Sequence, residues 1–312
     1  MSRKILFPRH QHIYKGNLHS HTTRSDGYYD LETVIEGYKK NNYQFICISD
    51  HHHYYKSDIE DNETFIILDG MEGGVGHSRY HIHAIADYSV DVEKRIVPDQ
   101  FYDIDLEQRP HQTITEYADQ GNICILNHPR WSSLAYEELV NTDGYIGVEI
   151  YNTGCDLEDA TGYSVDYWDY ALKKGKRLYG FASDDAHGND MNCKVSAYFG
   201  GWICVASDRL GQIDIVNSIK EGDFYASTGP IIKKIEMTED EVFVTTNEVK
   251  SISFITYPEH GLKVYDQDNK DITSASFKVE KDTKYLRIEV VDSNHKIAWS
   301  NPIFFDKEKN IT

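Results

Sequence analysis

Paired cysteines, basic charge, proline and long apolar runs are all scarce in this 312-residue chain. The five cysteines (Cys47, Cys124, Cys155, Cys193 and Cys204) are odd in number, widely spaced and form no CxxC pair. That excludes a disulfide framework and a thiolate zinc ribbon, and it fits a reducing compartment. Only 32 basic side chains stand against 51 acidic ones, a net charge of −19. Such a surface has no cationic stripe to displace counterions from a phosphate backbone, so long nucleic acid is disfavoured as a partner. Small anions are not excluded, because a bound cation reverses the local field whatever the overall charge. Proline numbers only 7, and no low-complexity segment occurs. No stretch approaches the roughly 20 apolar residues of a membrane span. The start MSRKILFPRH has no signal-peptide core, and the expectation is a cytoplasmic protein with no membrane association.

What is present is the composition of a folded protein, 40 % hydrophobic and 12 % aromatic with 23 tyrosines. Up to about residue 233, short apolar β-rich segments alternate with helical patterns, the signature of βα units around a parallel sheet. Strands are expected near Ile13–His19, Phe45–Ser49, Phe65–Leu68, His81–Ala86, Ile123–Asn127, Ile146–Tyr151 and Leu178–Ala182. Helices are expected over Leu31–Lys40, Thr113–Gln120, Ala135–Val140, Tyr167–Lys173 and Gln212–Lys220, with Gly175 and Gly222 as stops. From residue 234 the texture becomes period-two runs such as EVFVTT, SISFITY and KYLRIEVVD, broken by turn residues. This predicts an α/β domain over residues 1–233 and a small all-β sandwich over 234–312.

Thirteen of the 15 histidines lie at or before His187, so the chemistry is expected in the first domain. Several predicted strands there end in residues that bind metals: GNLHSH, ICISDHHH, ILDGMEGG, ICILNHP and GFASDDAH. In parallel α/β sheets such ends face one side, which brings distant residues together. The candidate ligands are His19, His21, Asp26, His51, Glu72, either His81 or His83, His128, Asp185 and His187. His19 and His21 lie two apart, as do Asp185 and His187, and Gly70, Gly73 and Gly74 around Glu72 allow close backbone approach. Asp50 is a candidate to orient an imidazole, and Asp184 to hold either backbone or a ligand histidine in place. Mixed imidazole and carboxylate donors in this number suit two or three divalent cations such as Mn²⁺, Fe²⁺ or Zn²⁺.

These motifs, NLHSHTTRSDG, ISDHHH, LNHPRW and SDDAH in that order, resemble the PHP (polymerase and histidinol phosphatase) superfamily of metal-dependent phosphoesterases over residues 13–190. The resemblance implies a distorted (β/α)₇ TIM-like barrel with a trinuclear centre. One cation would be held by His19, His21, Glu72 and Asp185, a second by Glu72, His81 and His128, and a third by Asp26, His51 and His187. GDFYASTGP resembles the crossover of a two-domain branch with an appended β-sandwich.

The expected reaction is hydrolysis of a small phosphate ester by a metal-activated hydroxide, with cations neutralising the phosphoryl oxygens. Arg130 is the candidate to grip a non-bridging oxygen, and His53 or His83 to protonate the leaving oxygen. A carboxylic ester or amide is the alternative substrate at the same centre. A third reading is a metal-binding module whose β domain binds a glycan or protein. Tyr29, Tyr54, Tyr55 and Trp131 are the aromatics available to stack a base.

Overall fold

The computed structural model describes residues 3–56, 64–74, 78–90 and 108–305. The first layer follows directly from local sequence. Leu31–Lys40 is a helix because Val34, Ile35 and Tyr38 recur on one face and become buried there, while Asp30 caps its start by accepting the Thr33 N–H at 2.9 Å. Helices Pro110–Asp119, Tyr136–Asn141, Val165–Lys173 and Gln212–Lys220 lie within a few residues of their expected places. Gly175 and Gly222 follow helix ends with φ of +93° and +73°, the left-handed conformation that a helix stop uses.

Parallel pairing joins β2 (His12–Asn17), β3 (Phe45–Cys47) and β4 (Ile66–Leu68) in one sheet. It also joins β7 (Asn122–Leu126), β8 (Gly147–Asn152) and β9 (Tyr179–Ser183) in another. The expectation of a wholly parallel sheet is corrected in between. Gly70–Gly73, outside the strands expected from sequence, is strand β5, and it pairs antiparallel with β6 (Ile82–Ala86), which pairs antiparallel with β7. The start of β6 therefore arrives at the rim where the other strands end, and His81 stands just before it.

The chain is a mixed α/β protein, and among the described residues its ladder does not close into a barrel. One sheet stops at β4 and the other runs from β5 to β9. The seams are bridged by single residue pairs, His51 with Glu72, Tyr55 with Gly70, and Ser20 with Ala186. These backbone bridges lie at or beside the candidate ligands.

The C-terminal part is all β. A four-stranded sheet (Lys4–Phe7, Ile232–Met237, Glu241–Val249 and Ile272–Lys278) shares an apolar core with Ser251–Tyr257, Tyr285–Val291 and Ile297–Ser300. Residue 234 is not a seam in the hydrogen bonding. The N-terminal strand Lys4–Phe7 pairs with Ile232–Met237, and Phe224–Ser227 pairs with Ile297–Ser300, so one ten-stranded sheet runs through both parts. Arg287, 2 % exposed, clamps them further by donating to both oxygens of Asp169 at 2.8 and 2.9 Å. Among the described residues no helix is long and apolar enough to cross a membrane.

Candidate metal centre

The centre begins where β2 ends. Asn17 Nδ2 donates to the His19 carbonyl and to the Tyr38 hydroxyl, both at 2.8 Å, which turns the chain so that His19 and His21 both enter the interior with no exposed surface. Asp50, expected to orient an imidazole, instead accepts from Thr22 N, Thr22 Oγ1 and Ser25 Oγ, each at 2.7 Å. It fixes the loop that presents Asp26. Asp184 likewise holds backbone, taking the N–H groups of Phe199, Gly200 and Gly201 and the Tyr38 hydroxyl at 2.7–2.8 Å.

Glu72, 1 % exposed, lies at the middle with its two oxygens facing different partners. Oε2 is 3.0 Å from His19 Nε2, 3.3 Å from His51 Nδ1 and 3.4 Å from His21 Nε2. Oε1 is 3.4 Å from both His81 Nδ1 and His128 Nε2 and accepts from Asn127 Nδ2 at 2.6 Å. Asp185 is the second shared carboxylate: Oδ1 is 3.0 Å from His19 Nε2 and 3.1 Å from His21 Nε2, and Oδ2 is 3.6 Å from His128 Nε2. At the open edge, Asp26 meets His187 at 3.3 Å and His51 at 3.6 Å. His128, Asp185 and His52 all have positive φ, at +21°, +51° and +57°. Non-glycine residues in that region are strained, and clustered strain marks functional sites.

All nine candidate ligands converge. Their donor atoms form the groups His19–His21–Glu72–Asp185, Glu72–His81–His128, and His21–Asp26–His51–His187, each within 4.8 Å internally. His81 and His83 stand in different donor groups, His81 with Glu72 and His128, and His83 with His19 and Glu149. His81 faces Glu72 and His128 at the cavity, whereas His83 is buried behind His19, ring centroids 4.1 Å apart. Three expectations of catalytic roles are corrected. Arg130 turns outward, its guanidinium 2.6 Å from Asp166 and its Nε donating to the Tyr163 carbonyl, and it does not line the cavity. His53 is exposed and outside the cavity lining, and His83 has no path to a leaving group.

Sequence reasoning missed Glu149. This fully buried carboxylate accepts from His19 Nδ1 at 2.7 Å, from the His128 N–H and Asn152 Nδ2 at 3.0 Å, and from Ser183 Oγ. Its signal was a lone acid inside the apolar strand GVEIYN. Asn127 and Asn152 were also missed; Asn152 Nδ2 donates to Asp185 Oδ2 at 3.0 Å.

The electrostatics follow from burying acids and imidazoles together. Burial opposes protonation of His19, but Asp185, Glu72 and Glu149 overcome it and hold its pKa well above the ordinary histidine value. Burial likewise opposes ionisation of Glu149, and His19 brings its pKa down to about 2. Against burial, Asp26 and Asp185 raise His187 to about 9. His51, where burial dominates, falls to about 3. The donor set fits divalent cations: oxygen and imidazole nitrogen in three groups, two carboxylates each spanning more than one imidazole, and His21 Nδ1 and His51 Nδ1 buried without a hydrogen-bond partner.

Beside these residues lies a cavity of about 640 Å³, within the range of small-molecule sites. Trp131 and Leu157 supply its apolar wall, and among the described lining residues there is no Lys or Arg. Tyr54 and Tyr55 are buried, and Trp131 is the one of the four expected stacking aromatics that lines the cavity.

No family model matches the chain, and no curated protein matches it in sequence. Among solved structures it is similar to a two-domain protein from Bacteroides vulgatus containing a predicted PHP-like metal-dependent phosphoesterase. The identity is 14 %, the TM-score 0.50, and 96 % of this chain and 98 % of that one are covered. A protein from Bifidobacterium adolescentis, provisionally assigned as a metal-dependent phosphoesterase, matches 58 % of this chain and 94 % of its own at 14 % identity and TM-score 0.37. An amidohydrolase from Chromobacterium violaceum with bound sulfate matches 67 % and 96 % at 12 % identity and TM-score 0.40. The resemblance drawn from the motifs is thus borne out at the level of the fold, across both halves of the chain.

Proposed function

We propose that the chain is a metal-dependent phosphoesterase of the PHP type, built on an open, TIM-like arrangement of strands and acting on a small phosphorylated molecule. The observation that carries this reading is Glu72, whose two oxygens address two separate donor groups at the floor of one cavity. Cations held by the three groups would supply Lewis acidity toward phosphoryl oxygens and lower the pKa of a water.

The chain's own residues do the rest. Glu149 holds the Nδ1 side of His19 and the backbone of His128, and Ser132 Oγ lies 3.2 Å from His128 Nδ1, so both imidazoles present Nε2 inward. Asn127 and Asn152 each donate to one oxygen of a shared carboxylate, Glu72 Oε1 and Asp185 Oδ2 respectively, and so fix its orientation. Trp131, its Nε1 donating to Glu158 at 3.2 Å and its ring against His81 and His128, forms a platform for the leaving group. With no Lys or Arg among the described lining residues, the negative charge of a phosphate would fall mainly to the cations. The charge of −19 favours a small substrate over a polymer. Five free cysteines fit a cytoplasmic enzyme.

The test is metal analysis of the purified chain with turnover of p-nitrophenyl phosphate, bis-p-nitrophenyl phosphate and p-nitrophenyl acetate, before and after chelation and Mn²⁺ restoration. Phosphate release that is lost on chelation and regained with Mn²⁺ is expected. Turnover of the acetate alone would replace the phosphoesterase reading with a carboxylic esterase.

A further inference from the structure

We propose that Cys155 is a metal ligand, and that His128, Cys155 and Asp185 form a soft-donor cation position at the inner wall of the cavity. It rests on the metal-dependent reading above, whose His128 and Asp185 it shares.

The placement of Cys155 comes from the backbone around it. Asn152 caps the helix Thr153–Asp159, its Oδ1 accepting the Cys155 N–H at 2.9 Å while its Nδ2 donates to Asp185 Oδ2 at 3.0 Å. One side chain therefore ties the start of this helix to a candidate ligand. Gly154 lets the helix press closer: its N–H donates to the Asp184 carbonyl at 2.8 Å, and a Cβ there would stand 2.5 Å from the Asp185 carbonyl oxygen. The result is a thiol that lines the cavity with Sγ 4.0 Å from Asp185 Oδ2.

His128 Nε2 approaches the same Asp185 oxygen at 3.6 Å, and all three donor atoms lie within 4.8 Å of one another. A tetrahedral ion with metal–sulfur bonds of about 2.3 Å and metal–nitrogen or metal–oxygen bonds of about 2.0–2.2 Å separates its donors by roughly 3.3–3.6 Å. The observed imidazole–carboxylate and thiol–carboxylate spacings are within about half an ångström of that edge. The neighbouring group Glu72–His81–His128 offers only oxygen and nitrogen and uses the same His128 Nε2, whose single lone pair serves one ion, so the two are alternative positions for one cation. A thiolate on the far side of His128 biases that part of the centre toward thiophilic ions such as Zn²⁺ and Cd²⁺ over Mn²⁺. None of the other four cysteines joins such a group among the described residues, and Cys193 is the exposed one.

The metal-free full chain is loaded with Co²⁺ alone and with Cd²⁺ alone, and the near-ultraviolet sulfur-to-metal charge-transfer band is recorded. The wild type and Cys193→Ser are expected to show the band, and Cys155→Ala to lose it with a fall in Cd²⁺ affinity of about tenfold or more and a smaller change for Mn²⁺. Where Cys155→Ala fails to fold, the wild type answers alone: Cd²⁺ is expected to protect Cys155 from alkylation, mapped by mass spectrometry. A wild type that binds Co²⁺ or Cd²⁺ without the band, a band that survives in Cys155→Ala, or alkylation unaffected by Cd²⁺ overturns the assignment. Phosphate release by the Mn²⁺-loaded wild type is measured separately. Its absence with the band present sinks the phosphoesterase reading alone, and its presence without the band sinks the Cys155 assignment alone. A wild type that binds neither ion and releases no phosphate with Mn²⁺ overturns both.

Discussion

Replacing Glu149 by glutamine tests whether the centre is organised from behind the ligands. The carboxylate takes the Nδ1 proton of His19 at 2.7 Å, the His128 N–H at 3.0 Å, Asn152 Nδ2 at 3.0 Å and the Ser183 hydroxyl. By holding the proton on Nδ1 it leaves His19 Nε2, 3.0 Å from both Glu72 Oε2 and Asp185 Oδ1, as the free lone pair for a cation. Glutamine keeps the shape, but one of its two ends is now a donor facing donors, and the charge that makes His19 a stronger ligand is gone. Loss of such a partner costs roughly 10–100-fold in metal affinity, or about 1.4–2.8 kcal/mol. The assay is competition between the chain and a chelating indicator for Mn²⁺ at pH 7, with circular dichroism to show that the variant is folded and Glu36→Gln, on the exposed face of its helix, as control. Glu149 titrates near 2 in the folded chain, so the stability it contributes is present above the ordinary carboxylate pKa and lost as pH falls toward 2. At pH 7 the metal-free variant should therefore also melt at lower temperature. A folded Glu149→Gln chain whose Mn²⁺ affinity is within about twofold of wild type would refute the reasoning.

Mn²⁺ affinity should rise with pH. Neighbouring carboxylates raise His128, hold His19 well above the ordinary histidine value and bring His187 to about 9, so His19 and His187 hold protons at pH 7 that a cation must displace. Calorimetry in buffers of different ionisation enthalpy should show proton release at pH 7, shrinking as pH passes about 9; release that grows with pH contradicts the assignment. Arg130→Ala should leave phosphate release within about twofold, because the guanidinium faces Asp166 and Tyr163; a fall of more than about tenfold in kcat/KM would bring it back into the site. Asp169→Ala strands the buried Arg287 with only Glu289 at 3.4 Å. It should cost about 3–5 kcal/mol, read as a melting temperature lowered by roughly 10 °C; a loss below about 1 kcal/mol would mean that the clamp between the two halves is idle.

What was legible in the sequence is what local periodicity and strand-end position encode. Leu31–Lys40 and Gln212–Lys220 were readable to the residue, since apolar spacing, an acidic first turn and basic last turn all agree. Most of the nine candidate ligands were readable because they stand at the end of an apolar run, where a polar side chain has no reason to be buried unless something holds it; Asp26, exposed in the loop TTRSDG, was readable only from its nearness to the His19–His21 pair. What was not legible depended on partners far along the chain. Gly70–Gly73 has no strand propensity and becomes a strand only because Ile82–Ala86 lies beside it. Arg130 follows a ligand, and adjacency alone made it a candidate; its direction is set by Asp166, 36 residues on in sequence, which no local pattern reports.

Glu149 shows where the reading was one step short. Its strand neighbours Val148 and Ile150 are fully buried, and Gly147 to Asn152 are buried throughout, so neither face of that strand meets water. An acid in the middle of an apolar run that long has to be paired inside the protein, because an isolated buried carboxylate would simply take up a proton. The partners within reach of a strand beside ICILNHP and GFASDDAH are histidines of the same layer, and Glu149 binds His19 and the backbone of His128 and faces His83. The same argument applied to strand β6 finds His83, buried in IHAIA with Nε2 unpartnered and its pKa lowered to about 3 by burial and then by the nearby His19. Glu149 and His83 therefore form the layer beneath the ligands, one charged and one neutral. His83 supplies a neutral ring packed against the histidine that Glu149 charges.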